Sequence, residues 1–175
     1  MKVLQEPFQG VKILEPECYK DARGFFLESF QKQRYAEVGI TEEFVQDNHS
    51  RSEKNVLRGL HFTRKKPQSQ IVTVIRGKIF DVVVDIRKES ATFGKWFGTE
   101  LSDRGQGQIY MPHGFAHGFC VLSDWADLHY KVSQIYDPTD EDGILWDDHL
   151  INIDWPTKKP NVSKRDLSHQ KLEDL

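Results

Sequence analysis

Strand-length runs of β-branched and aromatic residues, each closed by turn residues, repeat along most of this 175-residue chain. Almost nothing in it holds a helical period long enough to compete. VKILEP (11–16), GFFLESF (24–30), FVQDNHS (44–50), VLRGLHF (56–62), QIVTVIR (70–76) and KIFDVVVDI (78–86) read as strands. FGKWFGTELS (93–102), QIYMP (108–112), GFCVLS (118–123), ADLHYKVS (126–133), ILW (144–146) and INIDWP (151–156) continue the series. Many short strands at regular spacing predict an antiparallel sandwich or barrel. DARG (21–24) is a turn, and QKQRYAEVG (31–39), closed by Gly39, predicts one short helix. The runs flanking Arg76 and Gly77 predict a β-hairpin. The expectation is an all-β fold with a few short helices. No repeat, low-complexity tract or linker divides residues 1–175, so a single domain is expected.

Composition narrows the class of function. The net charge is −3 and no long basic run occurs, which argues against a nucleic-acid footprint. Any anion site must therefore be a local cluster of Arg and Lys. The only cysteines, Cys18 and Cys120, lie outside a CxxC spacing, which fits a reducing compartment and neither a disulfide framework nor a zinc cage. No run of 18 apolar residues occurs and MKVLQEPFQG lacks a leader pattern, so a cytoplasmic protein without membrane contact is expected.

The chemistry gathers in the stretch from Gln46 to Gln70. Strict alternation through VLRGLHF puts Val56, Arg58, Leu60 and Phe62 on one side and Leu57, Gly59 and His61 on the other. A bulge at Gly59 would bring Arg58 and His61 to the same side. Further on, PHGFAHGF carries Pro112, Gly114 and His117 in a P-x-G-x-x-H spacing, with the imidazole placed where one strand ends and the next begins. That spacing resembles the second motif of the cupin barrels and implies a cupin-type jelly roll. Metal-holding cupins also use an H-x-H pair, and here the matching stretch is His61-Phe62-Thr63. His61 and His117, even with His129, make a thin ligand set, so no metal is expected; His113 and His149 read as surface or turn residues. Without a metal, His61 and Asp166 would form a dyad if SKRD (163–166) folds back over the barrel, the carboxylate fixing the imidazole tautomer. Tyr130 would supply a phenolic acid, and Arg58 and Arg23 suit diphosphate oxygens.

Taken together, DARGFF (21–26), FVQDNHS (44–50), VLRGLHF (56–62), RGKIFDVVVDIR (76–87), TFGKW (92–96), PHGFAHGF (112–119), YKVSQIYDP (130–138) and IDWP (153–156) resemble the dTDP-4-dehydrorhamnose 3,5-epimerase family. The resemblance runs from about Phe8 to Asp166. It implies a homodimer that uses no metal or organic cofactor and epimerises a nucleoside-diphosphate 4-keto-6-deoxyhexose, in deoxysugar synthesis for bacterial surface polysaccharide. It assigns His61 as general base, Asp166 as its carboxylate partner and Tyr130 as the acid on the opposite face. Gln46, Asn48 and Arg58 match positions lining the sugar and diphosphate. Arg23, Phe26 and Glu28 match a segment reaching the neighbouring subunit's nucleotide, and His117 and Asp81 match supports of the cavity floor. One position departs: where many members carry a lysine beside the C4 oxygen, this chain has Gln70. A neutral donor there favours the alternative of a C3-only epimerase on a non-thymidine nucleotide sugar, unless Lys65 or Lys66 supplies the charge. A catalytically silent sugar-nucleotide binder and a metal-dependent oxygenase are the rivals; the intact His61, Asp166 and Tyr130 oppose the first, the missing H-x-H the second.

Overall fold

The computed structural model describes residues 1–175. In chain order its strands are β1 (Lys2–Gln5), β2 (Lys12–Glu15), β3 (Cys18–Asp21), β4 (Gly24–Leu27), β5 (Gln46–Glu53), β6 (Val56–Thr63) and β7 (Gln70–Arg76). There follow β8 (Lys78–Asp85), β9 (Trp96–Ser102), β10 (Gln108–Met111), β11 (Phe115–Val121), β12 (Trp125–Val132), β13 (Glu141–Gly143) and β14 (Asn161–Val162). The one α-helix, α1 (Lys32–Glu37), starts where Gln31 caps the Arg34 amide at 2.7 Å and stops just before Gly39, which has φ +80°. Two sheets build the body, one ordered β1-β2-β10-β7-β12-β5 and the other β13-β6-β11-β8-β9 with β14 beside β6. This is the all-β, cupin-type jelly roll expected. β3 and β4 pair only with each other.

Alternation along the strands sorts side chains between two cores. On β8, Ile79 and Val83 join Val72, Val74, Leu128, Phe115 and Phe119 between the sheets. Val82 and Val84 face the other way, against Leu57, Leu60, Phe62, Ile144, Ile151, Trp155 and Leu172. The second sheet is thus buried on both faces, its outer face covered by the C-terminal segment. That packing carries the tail back across β6. A third, smaller cluster seats Tyr35 of α1 on Leu14, Ile71 and Tyr110 of the first sheet.

Several expectations need correction. β7 and β8 do not form a hairpin, because β7 pairs with β10 and β12 while β8 pairs with β11 and β9. Arg76-Gly77 is a corner that carries the chain from one sheet to the other. Gly77 has φ +86°, its amide donates to Asp103 Oδ2 at 2.9 Å, and a Cβ there would stand 2.3 Å from the Trp125 carbonyl. The β-branched runs on either side made it look like a turn within one sheet. Residues 151–156 are no strand, and Ile144 makes only an isolated bridge to Gln170; their apolar side chains serve the second core instead. His117 lies inside β11 rather than between strands, the turn falling at Gly114 (φ +90°).

The bulge at Gly59 is present. Between β6 and β11 the register passes from Arg58↔Phe119 to His61↔His117, three residues on β6 against two on its partner. The extra residue turns Arg58 and His61 to the inner side and sends Leu60 and Phe62 outward with Leu57. Gly59 has φ +128°, and a Cβ on it would lie 2.6 Å from Gly118 Cα and 2.8 Å from the His117 carbonyl. Only glycine fits both the conformation and the space. We expect Gly59→Ala to lower the urea midpoint by an amount equivalent to about 2 kcal/mol or more, since strain and backbone overlap add. An unchanged midpoint would contradict this account of the bulge.

Candidate active site

The two sheets enclose a cavity of about 280 Å3 whose wall includes Asn48, Arg58, His61, Gln70, His117 and Tyr130. Asn48 from β5, Gln70 from β7 and Tyr130 from β12 arrive from the first sheet, Arg58 from β6 and His117 from β11 from the second, and the bulge at Gly59 turns His61 of β6 to the same side. His61 and Tyr130 therefore stand on facing sheets.

His61 is held from the tail. Its Nε2 lies 3.1 Å from Asp166 Oδ1, and Asp166 Oδ2 accepts the Gly59 amide at 3.2 Å. With Nε2–H donating to the carboxylate, Nδ1 keeps its lone pair. The Asp166 side chain is 3% exposed. Burial by itself would raise its pKa, but the His61 hydrogen bond and charge, together with the Gly59 and Ser163 contacts, hold it well below the usual carboxylate range. Tyr130 is the opposite case. Burial pushes the phenol up to about 12, against the Ser50 hydrogen bond and the Arg58 charge, while Asp81 adds to the rise. Its hydroxyl lies 3.0 Å from Ser50 Oγ, and at neutral pH it is a proton donor.

His117 Nε2 meets Asp81 Oδ2 at 2.9 Å in the buried floor, fitting a support of the pocket. Arg58 donates to Ser52 Oγ at 3.0 Å. Gln70 reaches the cavity, where its amide donates to Gln68 Oε1 at 3.0 Å. Gln46 on β5 does not line the cavity; its amide donates to Asn48 Oδ1 at 2.7 Å and its Oε1 accepts the Tyr136 amide at 2.9 Å. Arg23, Phe26 and Glu28 are not at this cavity. Arg23 and Phe26 belong to the β3–β4 hairpin and its turn, with Arg23 on its own Asp21 at 2.5 Å, and Glu28 just beyond β4 pairs with Arg34 at 3.3 Å. His129 faces outward, 3.8 Å from Asp47, and so cannot join His61 and His117 around an ion.

Neither Lys65 nor Lys66 lines the cavity. Their backbone amides are tied to the Asp140 carboxylate, and Lys66 Nζ lies 2.9 Å from Asp137. Besides Arg58, the cation at the cavity is Arg165, which sequence reasoning passed over although it adjoins Asp166. Its guanidinium lies 2.5 Å from Glu141, 3.2 Å from His61 Nε2 and 3.5 Å from Asp166 Oδ1. Glu141 and Tyr136 were also missed, because DPTDEDG reads as a polar turn and nothing in it announces that β13 pairs with β6 beside His61. His61, Asp166 and His169 bring ligand-type atoms within 4.8 Å of one another. The Arg165 guanidinium already holds the edge shared by His61 and Asp166, and its positive charge opposes a metal ion there.

Comparison with known proteins gives the family. Residues 5–174 match the family model described as dTDP-4-dehydrorhamnose 3,5-epimerase. The chain belongs to that family. It is an isomerase-class enzyme, an epimerase of nucleotide sugars. It is 49% identical to the dTDP-4-dehydrorhamnose 3,5-epimerase of Shigella flexneri, over 99% of this chain and 97% of that protein. It is 44% identical to the dTDP-4-dehydrorhamnose 3-epimerase of Streptomyces niveus, over 90% of this chain and 77% of that one. Among solved structures, a Legionella pneumophila dTDP-6-deoxy-D-glucose-3,5-epimerase in complex with dTDP-4-keto-L-rhamnose superposes with a TM-score of 0.95 at 46% identity, covering 98% of this chain and 93% of that one.

The low pKa of Asp166 has a signed consequence. Its folded value lies below the unfolded one, so its stabilisation is present above about pH 4 and is lost as pH falls through the folded value. Asp166→Asn should remove on the order of 2 kcal/mol at neutral pH and flatten the loss of stability on acidification below about pH 4. Urea titrations at pH 7 and pH 3 measure both effects; an equal deficit at the two values would contradict the assignment.

Proposed function

We propose that this cavity epimerises a dTDP-linked 4-keto-6-deoxyhexose by proton removal and return through an enolate. The observation that carries the reading is the placement of a carboxylate-backed imidazole, His61, and a protonated phenol, Tyr130, on facing sheets of one cavity. C3 and C5 both flank the C4 ketone. His61 takes the proton from one of them, and the C–H electrons move into the enolate with the charge on the C4 oxygen. Tyr130 then gives its proton to the other face of the same carbon, the ketone re-forms, and solvent restores both residues. Arg58 and Arg165 are the cations on the wall, Arg58 suited to diphosphate and Arg165, beside His61, to the developing oxyanion. His117 and Asp81 support the floor. No metal or organic cofactor takes part. The same reading places the enzyme in the cytoplasm, in deoxysugar synthesis for surface polysaccharide.

The test is incubation with dTDP-4-keto-6-deoxyglucose in deuterated water, followed by NMR of each ring position. The unmodified enzyme should incorporate deuterium with inversion, equally well after exhaustive chelation. His61→Ala should lose turnover by about a thousandfold or more, and Tyr130→Phe should retain exchange at the abstracted carbon while losing inversion. A folded His61→Ala protein with normal turnover, or activity lost on chelation and restored by a metal, would overturn the mechanism.

Gln70 supports a bias between the two carbons. A neutral amide already engaged with Gln68 gives an enolate less than a charged donor would, so C3 should invert readily and C5 slowly. The similarity to a 3-epimerase from Streptomyces niveus is in keeping with this. Gln70→Lys should increase C5 exchange by about tenfold. Equal, rapid inversion at C3 and C5 in the unmodified enzyme would remove the bias, showing that Arg165 alone suffices.

The assembly we propose is a homodimer in which Arg23, Phe26 and Glu28 complete the neighbouring cavity. The β3–β4 hairpin leaves Tyr19, Phe25 and Phe26 56%, 61% and 69% exposed while pairing with no other strand, a surface that invites association. Mixing inactive Arg23→Ala with inactive His61→Ala subunits should restore turnover, because one site of each mixed dimer is then intact. No restoration after verified subunit exchange would show that the hairpin serves its own subunit.

A further inference from the structure

We propose that His169 is a positioning residue for His61, an inference that rests on the epimerase reading and deepens it. The His169 ring meets the His61 ring edge-on, with centroids 5.5 Å apart and planes at 85°. It arrives from the tail three residues after Asp166, so one short segment contacts the imidazole twice: by the Asp166 carboxylate at Nε2 and by the His169 ring.

The room for this second contact is built into β13. Gly143 is the residue paired with His61 across β6 and β13. A Cβ at Gly143 would stand 2.2 Å from His169 Nδ1 and 2.3 Å from its Cε1. The glycine therefore leaves the space beside the catalytic histidine that the second imidazole fills. His169 Nδ1 is buried and has no hydrogen-bond partner. A ring fixed only for polar contacts would not be placed so; this one is held by its shape.

An imidazole held at one nitrogen alone can swing about its side-chain bonds. A carboxylate at one edge and a ring across its face leave His61 a single orientation, with the basic nitrogen aimed at the substrate carbon. Four other groups face His169: His61 and Arg165 on the cationic side, Asp166 and Asp142 on the anionic side. Burial is the largest influence and lowers its pKa, the charges of His61 and Arg165 act in the same direction, and the two carboxylates act against them. His169 is thus neutral when His61 takes up a proton, and it does not repel the imidazolium. A protonated His169 would.

The experiment compares His169→Ala and His169→Phe with the unmodified protein. Melting curves establish that each variant is folded, and Phe is included because it keeps the ring and discards the charge. Without substrate, long-range 1H–15N spectra report the tautomer and pKa of His61. His169→Ala should mix its tautomers, and His169→Phe should retain the native one and raise the His61 pKa when titrated below neutrality. With substrate, misplacement of the base should cost His169→Ala between about ten- and a hundredfold in kcat, with KM within about twofold. His169→Phe should recover most of kcat and move the acid limb of its pH profile to higher pH, because the base then protonates earlier on acidification. Native His61 spectra and native kcat in a folded His169→Ala protein would overturn the proposal, leaving His169 as packing only. Should the unmodified chain exchange no deuterium into any 4-keto sugar, the epimerase reading fails while the spectra still decide whether His169 positions His61.

Discussion

One carboxylate joins the tail to the barrel. Asp166 accepts the Gly59 amide on one oxygen and meets His61 Nε2 with the other, at 3.2 and 3.1 Å. An almost fully buried anion is costly unless both oxygens are paired, so the segment must seat itself where those two donors converge. They converge because Gly59 is the extra residue of a bulge. Without the bulge, His61 would point with Leu57 into the outer core, and the amide would be spent on the sheet ladder. The site thus depends on a backbone irregularity that sequence can flag only through a glycine. The apolar packing of Leu172, Ile144 and Trp155 on the second sheet supplies the driving force that brings the tail there.

What could be read from the sequence follows from which forces are local. Strand alternation and the turn residues are local, and an antiparallel sandwich or barrel followed from them, while the cupin-type jelly roll came from the resemblance carried by PHGFAHGF and the other motifs. The bulge was legible because Gly59 interrupts a run where a side chain would otherwise pack. The supposed hairpin at Arg76-Gly77 failed for the same reason the strands succeeded. Flanking β-branched residues report that both neighbours are strands, but not which sheet each joins, and partner choice is decided by contacts with Asp103, Ser123 and Trp125 far along the chain. INIDWP failed similarly: its alternating apolar residues pack outside a sheet rather than within one. Glu141, Arg165 and His169 were invisible because each gains its role only when β13 and the tail meet β6.

A jelly roll suits reactions that need two faces of one small molecule. Each sheet presents alternate residues inward, so functional groups on opposite sheets flank whatever lies between. Here the asymmetry of environment separates their tasks. In the proposed mechanism His61 has a carboxylate partner to stabilise the imidazolium it would become, while burial keeps the proton on Tyr130 against the opposing Ser50 hydrogen bond. Similar polar groups could not serve as base and acid at one pH without such a difference in surroundings.

The position of positive charge is the remaining physical difference between this cavity and one with a lysine at residue 70. A lysine on β7 would be anchored in the first sheet, fixed independently of the tail. In this chain the strand contributes Gln70, and the cation beside His61 is Arg165, carried on the same segment as Asp166 and His169. The carboxylate on His61, the packing ring and the nearest guanidinium then share one structural support, separate from the strand that carries His61. If the proposed roles hold, loosening that segment withdraws the oxyanion partner and the control of the base together, whereas a lysine on the strand would separate those losses. Under the proposed mechanism, proton removal by His61 therefore depends on the docking of the tail segment that carries Arg165, Asp166 and His169 as well as on the barrel wall itself.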